Sequence, residues 1–481
     1  MLSHRHAFAA LLLAASTSQA LAQAPATAPA PADTPPAVNT GIWDRPNLLG
    51  DLLGLRTRLA TAGMTLSLIE ESEVLGNVSG GLKRGATYDG QTTLTFQLDT
   101  EKAGLWKGGL FNISGLQLHG RDLSRYYLAN LQTASGIEAE PTTRLWELWY
   151  QHSLLDGALD VKLGLQSIDQ EFITSSVSSV FVNTMMGWPI VPSVDLYAGG
   201  PTSPLSSLGI RLRGTLMENV TLLGGVFQDN PPGGPFNNDG QLRGSSRTGG
   251  NFNLRTGALF IAEAQYALNQ PATDDTPNAS KPTGLPAAYK LGAYYDTAGF
   301  PDQRVDSAGV PLAASASNGR ARLRPGNFSI YGIIDQGIWQ PASDSPQLVS
   351  VFLRALAAPG DRNLVNFSLD AGVTIKAPLP SRDSDTLGLG IGYASISASA
   401  RGADRDRNTL AGIPLQPFAN PVRGSETFIE LTYRAQVTPW LQLQPDVQYV
   451  FTPGGGLANP NLPGKRIGNE AILGVRTSIT F

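Results

Sequence analysis

The sequence predicts an all-β fold: a 16-stranded antiparallel transmembrane β-barrel with long extracellular loops, short periplasmic turns and a short N-terminal helix. Three observations predict it. Runs of ten to twelve residues alternate apolar and polar side chains with period two, the signature of a strand with one apolar and one polar face. Those runs match the roughly 9–11 residues needed to cross a bilayer at a tilt and exceed the roughly 5–6 of soluble strands. Aromatics stand at run ends (Trp339, Trp440, Phe451, Phe481), where an interfacial girdle would place them, and the connections alternate short and long.

Composition bounds the alternatives. Charged residues make up 15% of the chain, below the roughly 25% of soluble domains. Apart from one short run near the N-terminus, no stretch reaches the roughly 18 apolar residues of a spanning helix. The 35 basic and 39 acidic residues nearly balance, at −4, which argues against nucleic acid as a partner. The absence of cysteine excludes a disulfide scaffold, a thiol nucleophile and Cys-ligated metals.

The elements follow in order. Residues 1–24 read as a signal peptide: His4, Arg5 and His6, then the apolar Ala7 to Ala15, then small residues before a cut after Ala22 or Ala24. Residues 25–46 form a disordered tether whose Pro/Ala tract runs to Thr40. Residues 47–62 read as a short amphipathic helix, with Leu52, Leu55 and Leu59 at helical spacing. The barrel occupies 63–481, with strands over 64–76, 86–101, 108–119, 142–154, 157–169, 205–217, 219–229 and 255–268 in its first half. The second half gives 286–298, 326–339, 347–358, 363–376, 385–398, 425–437, 440–452 and 469–481. The run 108–119 is ambiguous in phase. Long connections at 120–141, 170–204, 229–254, 299–325, 399–424 and 453–468 all fall on one side. Segment 269–285 is long on the nominally short side, as a miscounted strand would produce.

Sixteen strands leave an aqueous lumen rather than a packed core. The polar faces then meet water: Glu430, Arg434, Gln442, Gln444, Asp446, Gln448 and Asn366. Amides, hydroxyls and both charge signs suit neutral polyhydroxylated solutes better than ions.

The candidate site residues cluster around the third outer loop. Residues 170–204 contain Phe172, Ile173, Val177, Val180, Phe181, Met185, Met186 and Trp188, more apolar content than a solvated loop requires. We read the loop as a constriction folded against the inner wall; an external flap or a subunit contact would have the same composition. Asp169, Glu171 and Trp188 are its candidate solute contacts, since an indole face stacks on a pyranose and charged groups grip hydroxyls. Trp188 precedes Pro189 and is equally readable as packing. In Arg144–Tyr150 the parity carrying Glu147 and Trp149 is read as facing the lumen, with Arg144 and Trp146 on the other side. Arg211 and Arg213 share a face opposite Leu208, Ile210 and Leu212. Segment 120–141 shows helical character around Arg125 to Gln132 and offers Arg121. No catalytic or metal constellation stands out: His119 and His152 belong to no HExxH motif, and GxSxG and Walker sequences are absent. The expectation is a chain that is not an enzyme, has no cofactor and binds no metal.

Several blocks resemble the carbohydrate-selective porin family (OprB-like). They are Gly50-Asp51-Leu52-Leu53-Gly54-Leu55-Arg56-Thr57-Arg58-Leu59, Glu73 to Gly81, Val182-Asn183-Thr184 with Gly187-Trp188-Pro189, and Pro445 to Tyr449. The first departs from the family's GDWGGLRxxL in carrying Leu52-Leu53 for Trp-Gly. The resemblance spans about Asn47 to Phe481. It implies an outer-membrane porin of a Gram-negative bacterium for passive uptake of glucose-like monosaccharides or small oligosaccharides. It further implies that loops two and three narrow the pore, with Arg121, Glu147, Asp169, Glu171, Trp188, Arg211 and Arg213 as loosely mapped contacts. Expected partners are carbohydrate solutes, outer-membrane lipid and lipopolysaccharide, the barrel-assembly machinery through the C-terminal strand ending in Phe481, and further copies in a homotrimer, as is common for porins of this size. A barrel for polysaccharide export or surface adhesion, and a secreted soluble β-protein, are the competing classes.

Overall fold

The computed structural model describes residues 41–236, 247–250, 252–270, 284–410 and 421–481. The signal peptide, the tether up to Thr40 and most of segment 269–285 lie outside the described residues.

All sixteen predicted strands are present. They are β1 Met64–Ser79, β2 Gly85–Asp99, β3 Gly109–Gly120, β4 Thr142–Leu154, β5 Leu159–Gln166, β6 Ser207–Met217, β7 Val220–Gln228 and β8 Ala258–Leu268. Then follow β9 Ala287–Asp306, β10 Ala321–Trp339, β11 Leu348–Ala357, β12 Val365–Lys376, β13 Thr386–Ile396, β14 Ser425–Thr438, β15 Leu441–Phe451 and β16 Glu470–Thr480. Each pairs antiparallel with its sequence neighbours, and β1 pairs with β16 to close the barrel. Closure leaves no open edge and pairs the ladder that lipid could not solvate.

The pleat sorts the side chains as the alternation requires. Val74, Ile210, Leu212, Leu389, Leu431 and Val447 are exposed on the outside, whereas Glu73, Glu263, Ser368, Asp370 and Glu430 are buried inside. In β3 both faces carry apolar residues: Phe111 and Ile113 face out, while Leu116 and Leu118 are buried with Trp146. That explains the phase ambiguity of this run.

Four expectations change. The N-terminal helix α1 spans only Leu55–Thr61, not 47–62; Leu52 and Leu53 adopt positive φ, which breaks the helix, and Leu55 is exposed. The stretch before it and the helix together brace the seam, with Leu48 N donating to Thr480 O at 2.8 Å and Arg56, within α1, to Leu66 O at 2.7 Å. The expected loop 299–325 is largely a β9–β10 hairpin rising above the wall. Segment 399–424 begins as helix α5, Ala398–Leu410. Finally, β8 and β9 pair directly on either side of segment 269–285, so no strand was miscounted there.

Candidate functional site

The lumen is not empty: two of the long loops fold into it. β5 has only 8 residues, against 16 in β1, and its pairing with β6 stops at Gln166–Ser207. The chain from Ser167 therefore leaves the wall early and turns inward. Its next forty residues carry the short helices α3 Thr184–Gly187 and α4 Ile190–Asp195 and cross to the opposite wall.

Backbone groups dictate how the loop is held. An irregular segment inside a barrel has amides and carbonyls that need partners. Single charged residues in the polar phase of the strands supply them. Glu263 of β8 accepts from Ile173 N at 2.9 Å, Asp335 of β10 from Ser176 N at 2.7 Å, and Glu430 of β14 from Val182 N at 2.5 Å. Arg354 of β11 donates to Ile173 O at 3.0 Å and Gly187 O at 2.8 Å, and to Met185 O, while pairing with Asp370 of β12. Asp195, at the end of α4, accepts from Leu364 N at 2.9 Å. Burial pushes its carboxyl well up, opposed by the Leu364 and Val365 amides.

The apolar residues of the loop have a matching seat. A Cβ on Gly390 of β13 would lie 2.7 Å from Met186 and 2.9 Å from Phe181, and one on Gly388 2.9 Å from Val180. Bare backbone on the inner face thus lets the loop approach the wall.

The second outer loop, residues 121–141 with helix α2 Leu123–Tyr127, joins it. Glu426 accepts from Leu131 N and Gln132 N at 2.8 and 2.7 Å, and Gln448 donates to Ala134 O at 2.8 Å. The two loops meet where Gly136 N donates to Val182 O at 3.0 Å and Thr133 to Thr184 at 2.6 Å. Glu430, Gln444, Asp446 and Gln448, expected to line water, are buried beneath these loops. The alternation identified them as inward-facing; the loops then claimed their hydrogen bonds.

The wall of β4–β6, away from these anchors, carries most of the predicted site residues. Register aligns Gln151, Lys162 and Arg211 in one row, with Trp149 beside Gly164 in the next row and Asp160 opposite Arg213 on the other side. Glu171 reaches down from the third loop and bridges Lys162 and Arg211, at 2.6 Å from Arg211 Nε. Burial pushes its carboxyl up, but the two cations more than offset that and hold it at about 2. Arg211 also donates to Gln151 at 2.9 Å, and the Lys162 ammonium lies 4.6 Å from the Trp149 ring centroid. Ser167 links two more carboxylates: its amide donates to Glu147 at 3.1 Å and its hydroxyl to Asp169 at 2.5 Å. Asp169 is pushed up by burial, against donors from Ser167 and Ser203.

Of the predicted residues, Glu147, Asp169, Glu171, Arg211 and Arg213 are brought together on this side of the lumen. Trp188 is not among them: at 7% exposure, against 9% for Trp149, it differs not in burial but in place, packing in the loop's apolar core with its indole N–H donating to Gly199 O at 3.0 Å. Arg121 is also apart, exposed at the outer rim and stacked 4.0 Å over the Tyr126 ring. Arg144 and Trp146 are buried on the inside together with Glu147 and Trp149, because a bulge at Ser114–Gly115 against β4 reverses the parity. Lys162 was missed, although it stands in the polar phase between Val161 and Leu163.

A closed sixteen-stranded barrel with apolar outer faces and inward-folded loops has the architecture of an outer-membrane diffusion channel. The chain belongs to the carbohydrate-selective porin, OprB family, whose profile matches residues 83–481, and it is an outer-membrane porin for carbohydrate diffusion. Porin B of Pseudomonas aeruginosa is 27% identical over 448 residues, covering 90% of this chain and 91% of that protein. The high-pH structure of Pseudomonas putida OprB superposes with a TM-score of 0.79 at 23% identity, covering 92% of this chain and all of that one. Its low-pH structure gives 0.54 at 18%, covering 91% of this chain and 99% of that one.

Proposed function

We propose that the chain admits glucose-like monosaccharides, and small oligosaccharides more slowly, through a constriction formed by the β4–β6 wall and the third loop. The observation that carries this reading is the Glu171 bridge between Lys162 and Arg211, set beside the Trp149 ring. Cations and carboxylates that interleave so closely largely cancel at a distance, so an ion gains little from the wall. A neutral solute bearing many hydroxyls can exchange hydrogen bonds with Glu147, Asp169, Glu171, Gln151, Arg211 and Arg213 in turn, while an indole face covers the apolar face of a pyranose. In this reading Trp188 shapes the loop from within, and Arg121 with Tyr126 forms a first contact at the outer mouth.

The finer partnerships belong to the same reading. The C-terminal strand, ending in the aromatic Phe481, is offered to the barrel-assembly machinery. Lipopolysaccharide surrounds the outer half of the apolar belt, and the chain assembles as a homotrimer.

Liposome swelling with glucose, sucrose and a charged solute of glucose's size tests the selectivity. Faster entry of glucose supports it, and equal entry of the ion refutes it. In the same assay Glu147→Gln reduces the preference without altering heat-modifiable gel mobility; unchanged permeation removes Glu147 from the site.

A further inference from the structure

The second outer loop closes over the inner face of β1 and β2, and that seat is short of positive charge. Glu73 of β1 lies directly opposite Asp89 of β2, both side chains turned inward and 1% and 2% exposed. Like charges facing each other across a ladder repel. The loop brings two more carboxyls to Asp89: Asp122, just before α2, and Glu138, whose Oε1 accepts from Leu123 N at 2.9 Å and Ser124 N at 3.0 Å. Asp89 Oδ1 and Oδ2, Glu73 Oε1, Asp122 Oδ1 and Glu138 Oε2 are all buried, and none accepts a hydrogen bond. One guanidinium answers them: Arg476 of β16 donates to Glu73 Oε2 at 2.9 Å and to Ser135 of the loop at 2.8 Å. Glu71 of β1 and Asp446 of β15 draw on the same cation. Arg125 is engaged at the rim, 2.6 Å from Glu140, and the Lys83 ammonium lies 4.5 Å over the Tyr127 ring. At the loop's other end Glu470 accepts from Ala129 N and Glu426 from Leu131 N and Gln132 N, contacts a carboxyl oxygen makes in either protonation state.

A buried carboxylate without a donor or cation is costly, and carboxyls that share one site relieve the cost by holding a proton between them. Such a proton supplies the donor these oxygens lack. We propose that the second outer loop is a pH latch: protons shared among Glu73, Asp89, Asp122 and Glu138 seat it in the lumen, and their loss at alkaline pH frees it from the wall and from the third loop. Burial pushes both loop carboxyls up, that of Glu138 to about 8. A carboxyl raised in the seated state supports seating fully below its ordinary value of 4.5, and that support is lost as pH rises toward about 8. Release parts Gly136 N from Val182 O and Thr133 from Thr184. The latch sets how wide the outer lumen is, not which solute the β4–β6 wall prefers, so it stands apart from the sugar reading.

Single-channel conductance of the whole protein in planar bilayers at fixed salt, from pH 5 to pH 9, reads the latch. The parent's conductance should rise at least twofold across that range and fall back on reacidification. In the double variant Asp89→Asn, Glu138→Gln, which keeps an acceptor oxygen at both positions, the rise should vanish. A flat parent profile, or a full rise in the double variant, would overturn the proposal. A rise whose midpoint EDTA moves would assign the missing charge to a metal ion and overturn the proton. Because the chain has no cysteine, Thr133→Cys with Thr184→Cys can staple the two loops where their hydroxyls meet at 2.6 Å. The oxidised staple should abolish the rise and a reductant should restore it, whereas a rise that survives the staple overturns the latch. If the carboxyl variant lacks the heat-modifiable mobility of a folded barrel, the staple comparison decides alone.

Discussion

Arg354 and Asp370 form a fully buried ion pair across β11 and β12, 3.0 Å apart, and the same guanidinium reaches three carbonyls of the third loop. The pair is a fastener: the wall supplies the charge, and the loop supplies the acceptors that a lone guanidinium would lack. Arg354→Met leaves Asp370 buried without its counter-ion and frees those carbonyls. Breaking a buried pair in this way typically costs about 3–5 kcal/mol. The barrel ladder does not depend on the pair, so the loss should fall on the loop. Planar-bilayer recordings should show a larger, noisier conductance than the parent, while gel mobility still reports a folded barrel.

Glu171 sets one carboxylate between the Lys162 and Arg211 cations of the wall. Glu171→Gln leaves Lys162 and Arg211 without the carboxylate that bridges them. The zero-current potential under a salt gradient should then shift toward anions, and the swelling rate with a small anion should rise relative to glucose. An unchanged potential would mean that Glu171 does not face the conducting path.

The pH dependence follows from the same group. The Glu171 carboxyl, ordinarily near 4.5, is held at about 2 by Lys162 and Arg211 despite its burial. A carboxylate with a depressed pKa stabilises the folded arrangement fully above its ordinary value, and that stabilisation disappears as pH falls through the folded value. Glucose swelling should therefore be steady from pH 8 to about 5 as far as this bridge is concerned, with ion discrimination declining only as pH approaches 2. A decline centred at pH 6 would point to another group.

Gly390 tests the seat of the loop. Gly390→Leu puts a side chain where Met186 and Phe181 already lie, with even its Cβ inside contact distance. Overpacking a tight site commonly costs about 1–3 kcal/mol. The loop should be displaced toward the lumen, lowering conductance, in contrast to the rise expected for Arg354→Met.

The strands were legible because period two is enforced twice, once by lipid outside and once by a polar interior, so Ile429 and Glu430 or Val447 and Gln448 could be sorted without a structure. What the alternation could not say is what lies inside. Glu430 reads as lumen-facing, yet the nearest donor is Val182, far along the chain, and that pairing leaves no local trace. Segment 299–325 reads as a long connection, but the β9–β10 hairpin extends into it and accommodates Pro301 and Pro325 beside shifts in register. Trp146 escaped because one bulge reverses parity. Of the candidate site, the charged residues adjoining the third loop were readable, whereas Lys162 and the choice of Trp149 over Trp188 depended on cross-strand register.

The central claim is that this porin discriminates for neutral sugars at the β4–β6 wall. Its most direct test is the ratio of liposome swelling rates for glucose and a charged solute of the same size, compared between the parent protein and Trp149→Ala. The ratio should exceed one for the parent and fall severalfold toward one in the variant. A parent ratio at or below one, or a ratio that Trp149→Ala leaves unchanged, would contradict it.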